Sequence, residues 1–219
     1  VPDSGKSIRI NPMKKILIIS SDTNLSLMLS LLIEKDFEVE IIKRSSLPVA
    51  LEFKKNSDVD CIIADESFPK NLTREEIPLY LSKKKADAFT GGLDENTILI
   101  TADTIVWIEG QVLNKPKDQA EAVQMLKILS GRMHEVYTGV CLRSKNKTRS
   151  FYAVTKVFFK LLTDDEINYY VSAYKPYDKA GAYGAQEWIG YIGIAKIEGS
   201  YFNVMGLPVK ELYEELMHF

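Results

Sequence analysis

The sequence predicts an α/β fold, a mixed sheet with flanking helices preceded by a βαβαβ segment. Three observations predict it. Short apolar runs alternate with helix-length stretches up to residue 64, the order that produces parallel strands with right-handed crossovers. Long segments after residue 130, joined by a polar turn, read as an antiparallel ribbon. Two Thr-x-x-Glu boxes, Thr73–Glu76 and Thr163–Glu166, mark helix starts in the second part.

The elements follow in order. Residues 1–12 have no clear period and read as a leader or loose arm. Their Gly5-Lys6-Ser7 lacks the earlier glycine, strand and helix that a phosphate-binding loop requires. Lys15–Ser20 is a short apolar run of buried-strand type, and Asn24 can cap a helix Leu25–Lys35. Phe37–Ile42 predicts a second strand, Leu47–Asn56 a second helix and Asp60–Ala64 a third strand. The Thr73 box opens a helix to about Phe89, ended by Gly91-Gly92. Thr97–Ala102 is a buried strand, and Gly110-Gln111 turns a hairpin. Asp118 opens a helix to Leu129, broken by Ser130-Gly131. Two strands follow, Met133–Arg143 and Arg149–Leu162, and the Thr163 box starts a helix to Ala173. The Gly-rich stretch Lys175–Gly190 reads as irregular, and a strand and a helix after Pro208 close the chain.

Composition narrows the function. The 219 residues are 46% hydrophobic and 26% charged, as in globular domains, with 28 basic and 30 acidic side chains. A net charge of -2 provides no field for nucleic acid or an acidic membrane, so any anion site must be local. The longest apolar helix-like stretch, Leu25–Ile33, falls far short of a membrane span and is interrupted by Ser26 and Ser30. Cys61 and Cys141 lie in apolar runs, as buried free thiols do, and a cytoplasmic setting is the expectation.

Several residues carry chemistry. Asp103 follows the TILITA run, where an open α/β sheet presents strand ends to ligand, although an Asp there also serves as a cap or turn. Lys115 precedes a proline that stiffens its backbone and can aim the ammonium at a phosphate, and a solvated turn reads equally well. Lys83, Lys84 and Lys85 spread around a helix, so only one or two can face a site. Arg132 and Thr138 flank His134 in a segment that can bring both near one ligand. His134 has no metal-spaced partner and reads as a hydrogen-bonded structural histidine. Gly181 and Gly184 allow close backbone approach to a ligand, and the Gln186 amide offers the donor and acceptor suited to a base edge.

These residues occur in ordered motifs: Asp65-Glu66-Ser67, Lys85-Ala86, Ala102-Asp103-Thr104-Ile105-Val106, Asn114-Lys115-Pro116, Leu129-Ser130-Gly131-Arg132, Tyr137-Thr138-Gly139-Val140, Asp178 through Gln186, Gly199-Ser200-Tyr201 and Asn203 through Pro208. Over residues 65–219 the chain resembles the Maf (septum-formation inhibitor-like) nucleoside triphosphate pyrophosphatases. The resemblance implies a Maf-like mixed sheet and hydrolysis of a nucleoside triphosphate to monophosphate and pyrophosphate with Mg²⁺ or Mn²⁺. It further implies dTTP or UTP as substrate, from the glutamine at Gln186. Asp103 matches the family's proton acceptor, and Glu66, Lys85 and Lys115 match polar pocket residues. Thr104 and Gln186 match positions tied to substrate choice. Arg132 and Lys179 complete the expected substrate contacts, and Glu66 with Asp103 the expected metal ligands. A nucleotide is the expected partner, without nucleic acid or membrane, and a homodimer is compatible with the sequence.

One departure bears on activity. Where such proteins open with a Ser-x-x-Arg-Arg type loop, this chain reads Ile19-Ser20-Ser21-Asp22-Thr23-Asn24-Leu25, without arginine. Residues 13–69 instead resemble the first half of a response-regulator receiver domain, with Asp65 at the phospho-acceptor place but Ser20-Ser21 where the acidic pair belongs. The expected organisation is therefore an arm (1–12), a receiver-like βαβαβ half (13–64) and a Maf-like region (65–219). The expected activity is an impaired pyrophosphatase, and the alternative is a catalytically silent receiver/Maf chimera or scaffold.

Overall fold

The computed structural model describes residues 15–20, 38–43, 68–89 and 91–219. The expected helices Leu25–Lys35 and Leu47–Asn56, the strand Asp60–Ala64, Glu66 and the Ser21–Leu25 segment lie outside the described residues. The elements are β1 (Lys15–Ser20), β2 (Glu38–Lys43), α1 (Glu76–Asp87), β3 (Thr97–Ile108), β4 (Gln111–Leu113), α2 (Gln119–Leu129), β5 (Met133–Arg143) and β6 (Thr148–Phe159), continuing with α3 (Asp164–Tyr174), α4 (Trp188–Gly193), β7 (Ile194–Glu198), α5 (Tyr201–Val204) and α6 (Val209–Met217).

They form one mixed sheet in the order β2-β1-β3-β5-β6-β7, with β4 paired to β3. β1 runs parallel to β2 and to β3, whereas β3, β5, β6 and β7 are successively antiparallel. The antiparallel ribbon and the parallel pairing of β1 with β2 are as expected, whereas β1 also pairs with β3, a strand the sequence reading assigned to the separate antiparallel part. β3 is twice the length of the expected TILITA strand. The polar Asp103-Thr104 pair ends the apolar run, but β5 continues to pair with β3 as far as Trp107 and β4 pairs with its end, so the ladder holds the strand extended.

Strand alternation sorts β3 onto two faces. Leu99 and Ile105 pack under α1 in two small clusters, with Ala86 and Cys141 in one and Ile77, Leu81 and Tyr137 in the other. Val106 and Ile108 point to the opposite face and join the main core with Leu126 and Leu129 of α2, Ile167 and Val171 of α3, and Ile189 of α4. Ile98 and Ile100 meet Leu207 and Leu212, so α6 covers that face too. Within the described residues α1 therefore stands alone on its side of the sheet.

The local signals act as short-range hydrogen bonds. Asp118 accepts from the Glu121 N–H at 2.9 Å and caps α2, and Gly131 (φ 71°) follows its end. The Thr163 box is complete, with 3.2 Å from Glu166 N–H to the Thr163 hydroxyl and 2.9 Å from Thr163 N–H to the Glu166 carboxylate. The Thr73 box forms only by half. Thr73 N–H and hydroxyl both donate to the Glu76 carboxylate, Arg74 takes φ 41°, and α1 starts at Glu76, two residues later than a Thr73 cap would start it. The Gly-rich stretch is irregular except for a single 3-10 turn at Ala180–Ala182 and the start of α4.

Candidate functional site

Parallel pairing sets the position of Asp103. β1 and β3 run side by side until Ile19 stands opposite Thr101, and then β1 ends at Ser20 while β3 continues. Asp103 therefore lies just past the carboxyl end of β1, although it is in the middle of its own strand. Its partner across the antiparallel ladder is Gly139 of β5. A Cβ on Gly139 would fall 2.4 Å from the Pro78 carbonyl carbon and 2.5 Å from the Leu79 nitrogen, so only glycine lets α1 lie this close to the sheet.

That approach selects one lysine of three. The Lys85 ammonium donates to the Asp103 carboxylate and, at 3.1 Å, to the Ala102 carbonyl. The pair is largely enclosed, with side-chain exposures of 27% for Lys85 and 10% for Asp103. Lys83 instead pairs with Asp87 on the outer surface, 2.7 Å away. Two contacts fix the phase of α1. Thr101 donates to the Ser82 carbonyl at 2.7 Å, and the Arg143 guanidinium donates to the Ala86 carbonyl at 2.7 Å and pairs with Asp87. Burial would raise the Asp87 pKa, but its hydrogen bonds from Lys83 and Arg143 outweigh that and hold it below the usual carboxylate range.

Lys115 follows β4, and the neighbouring Asn114 carbonyl accepts the Gly181 N–H at 3.2 Å. The Asn114–Pro116 and Asp178–Gln186 motifs, over sixty residues apart in sequence, thus adjoin. Gly181 takes φ 69° with Val106 against it, where a Cβ would meet that side chain at 3.0 Å. Lys179 is paired twice, to Asp178 at 2.9 Å and to Glu187 at 3.2 Å. Burial would lower its pKa, but the Asp178 hydrogen bond and the Glu187 charge hold it above the ordinary lysine value.

Other expected site residues sit elsewhere. Thr104 points to the opposite face from Asp103, where its hydroxyl lies 2.9 Å from that of Thr138, which donates to the Asn203 carbonyl at 3.1 Å. Arg132 pairs with Glu109 at 3.0 Å on the exposed β3–β4 turn. Six residues of strand separate Glu109 from Asp103, about 20 Å. The structure therefore brings Lys85 to Asp103 but not Arg132, and Arg132 does not meet the buried Thr138. His134 is the expected structural histidine: 1% exposed, its Nε2 lies 2.7 Å from the Tyr183 hydroxyl, and burial lowers its pKa to about 3.

Arg143, Ser82, Thr101 and Glu187 escaped the sequence reading. Each acts through contacts to residues far away in sequence, and none forms a recognisable spacing with its partner. Only the charge of Arg143, directly after the apolar Val140-Cys141-Leu142 run, was a signal.

Residues 40–219 match the model of the Maf-like proteins. The chain belongs to the Maf family. Its relatives include a dTTP/UTP pyrophosphatase of Bacteroides thetaiotaomicron, 49% identical over 81% of this chain and 94% of that protein. A second, from Porphyromonas gingivalis, is 50% identical over 80% and 86% of the two chains. A third, from Phocaeicola vulgatus, is 55% identical over 69% and 79%. In this Maf protein the Lys85–Asp103 pair is the one juxtaposition of expected catalytic residues seen among the described residues. No helix among the described residues is long and apolar enough to cross a membrane.

Proposed function

We propose that this Maf protein hydrolyses dTTP or UTP to the nucleoside monophosphate and pyrophosphate. The observation that carries the reading is the enclosed Lys85–Asp103 pair just past the end of β1, together with relatives named for that activity. The Asp103 carboxylate takes the proton of a water that attacks the α-phosphorus, and the bond to the bridging oxygen breaks to release pyrophosphate. Lys85, bonded to both the Ala102 carbonyl and the carboxylate, orients the base and places an ammonium beside the developing phosphate charge. Lys115 lies near the Gly181 loop, which supports a phosphate contact there, and Gln186 reads the base edge.

A Mg²⁺ or Mn²⁺ ion fits this donor set. Such ions take one or two protein carboxylates with the remaining positions filled by water and phosphate oxygens. Asp103 supplies one carboxylate, and Glu66, outside the described residues, is the second we assign. When bound, the ion neutralises charge on the phosphate oxygens.

The activity is weak in this reading, because Ser20 to Leu25 offers no arginine. Each charge-assisted phosphate contact contributes about 1.5–3 kcal/mol, and losing two costs roughly a hundred- to ten-thousand-fold. Pyrophosphate release from UTP and dTTP, measured beside the Bacteroides thetaiotaomicron relative, tests both statements. Values of kcat/KM lower by that range support them. Equal values refute the impairment, and no release at any enzyme concentration refutes the activity.

A further inference from the structure

We propose that Tyr170 is a positioning residue for base recognition, its hydroxyl fixing the turn that carries Gln186. The inference rests on the pyrophosphatase reading and adds to it a residue on a different helix. Tyr170 belongs to the stripe Ile167, Tyr170 and Val171 with which α3 enters the core, so the sequence marks it only as a packing residue. It is 0% exposed, yet its hydroxyl is used twice. It accepts the Gly184 N–H at 3.1 Å and donates to the Glu187 carboxylate.

Those two partners are the ends of one turn. The Glu187 N–H donates to the Gly184 carbonyl at 3.0 Å and closes the four residues Gly184 to Glu187, with Gln186 third. One phenol hydroxyl thus grips both ends of the segment. Glu187 is pinned from its other oxygen by Lys179 at 3.2 Å, and the Gln186 carbonyl accepts from the Tyr191 hydroxyl at 2.6 Å. The chain packs closely around this turn. A Cβ on Gly184 would lie 2.8 Å from the Glu187 carboxyl carbon, and one on Gly190 would lie 2.1 Å from the Ala185 carbonyl oxygen.

A side-chain amide discriminates between bases only when its donor and acceptor are held in register with the base edge, because an unpaired polar group in the site is what rejects the wrong base. Uracil and cytosine exchange an oxygen for an amine and reverse the adjacent ring nitrogen, so the ratio of the two reports that register. The phenol hydroxyl buried in the core sets it through its bonds to Gly184 and Glu187.

Tyr170→Phe keeps the ring and removes only the hydroxyl, and Glu187→Ala removes its partner from a half-buried position. Two ratios are measured for each variant and for the parent: kcat/KM for UTP over CTP, and the affinity, by calorimetry, for non-hydrolysable UTP over CTP analogues. The expected result is a fall of tenfold or more in both ratios. It comes through KM and uridine-analogue affinity, with kcat for UTP within threefold of the parent. Glu187→Gln, which keeps an acceptor for the phenol, retains the parent ratios. Unchanged ratios in both Tyr170→Phe and Glu187→Ala, or equal losses for UTP and CTP, overturn the proposal. Should the parent bind uridine analogue selectively without releasing pyrophosphate, the activity reading falls while the affinity ratio still decides this one. A parent that binds neither analogue overturns both.

Discussion

Lys85 in the last turn of α1 donates to Asp103 in the middle of β3, and Gly139, the strand partner of Asp103, lacks the side chain that would keep α1 away. The Lys85–Asp103 pairing and the packing of α1 are thus one arrangement. The same closeness that buries Ile77 and Leu81 delivers an ammonium to the carboxylate.

Asp103→Asn tests the base. The amide is isosteric and still accepts from Lys85, so the fold persists, but it takes no proton from water. Pyrophosphate release is expected to fall by roughly a hundred- to ten-thousand-fold with the circular dichroism spectrum unchanged. Turnover at the parent rate would remove Asp103 from the role.

Replacing Lys85 separates position from charge. Lys85→Met removes the ammonium and is expected to lower kcat/KM by about ten- to a hundred-fold, the scale of one charge-assisted contact. Lys83→Met, on the surface beside Asp87, is expected to leave it within twofold. Equal effects at the two positions would contradict the selection of one lysine by the packing of α1.

Gly139→Ala places a methyl group against the Pro78 and Leu79 backbone, which cannot move as a side chain can. Overpacking of this kind costs about 1–3 kcal/mol. In a chain of this size the melting temperature falls by about 2–4 °C per kcal/mol. Activity drops further than stability, because Lys85 rides on the displaced helix. A thermal scan beside a kinetic assay checks this, and a variant with the parent melting temperature refutes it.

His134 makes the fold sensitive to acid. Its pKa is about 3 when folded, against an ordinary 6.5, so between these values the unfolded chain binds a proton that the folded chain excludes. Stability is therefore full above pH 6.5 and is lost as pH falls toward 3, by up to about 1.4 kcal/mol per pH unit from this group. His134→Gln keeps a partner for the Tyr183 hydroxyl but cannot titrate. Urea unfolding from pH 7 to 4 is expected to show a shallower loss in the variant, and identical slopes would exclude His134 as the cause.

Much of the local structure was legible in the residues. Lys15–Ser20 and Met133–Arg143 are strands with the expected bounds, Asp118 caps α2 and the Thr163 box is complete. Gly110 (φ 84°) turns the β3–β4 hairpin where the sequence placed a turn. The family motifs also singled out Asp103 and Lys85, the two residues whose side chains pair. These signals are short in range: a period of two or a cap three residues away carries its own physical cause.

What the sequence alone determined is therefore the kind and order of elements and the residue types able to do the chemistry. The tertiary structure decided which of them meet. It chose Lys85 from three consecutive lysines through Gly139, Thr101 and Arg143, and set Thr104 on the opposite face from Asp103 by strand alternation. It carried β3 past the apolar TILITA run because β5 and β4 supplied hydrogen bonds, and gave the buried Tyr170 a hydroxyl bonded to both ends of a turn. Each of these rests on partners distant in the chain. The relative phase of a helix and a strand, on which such contacts depend, is set only when the two pack.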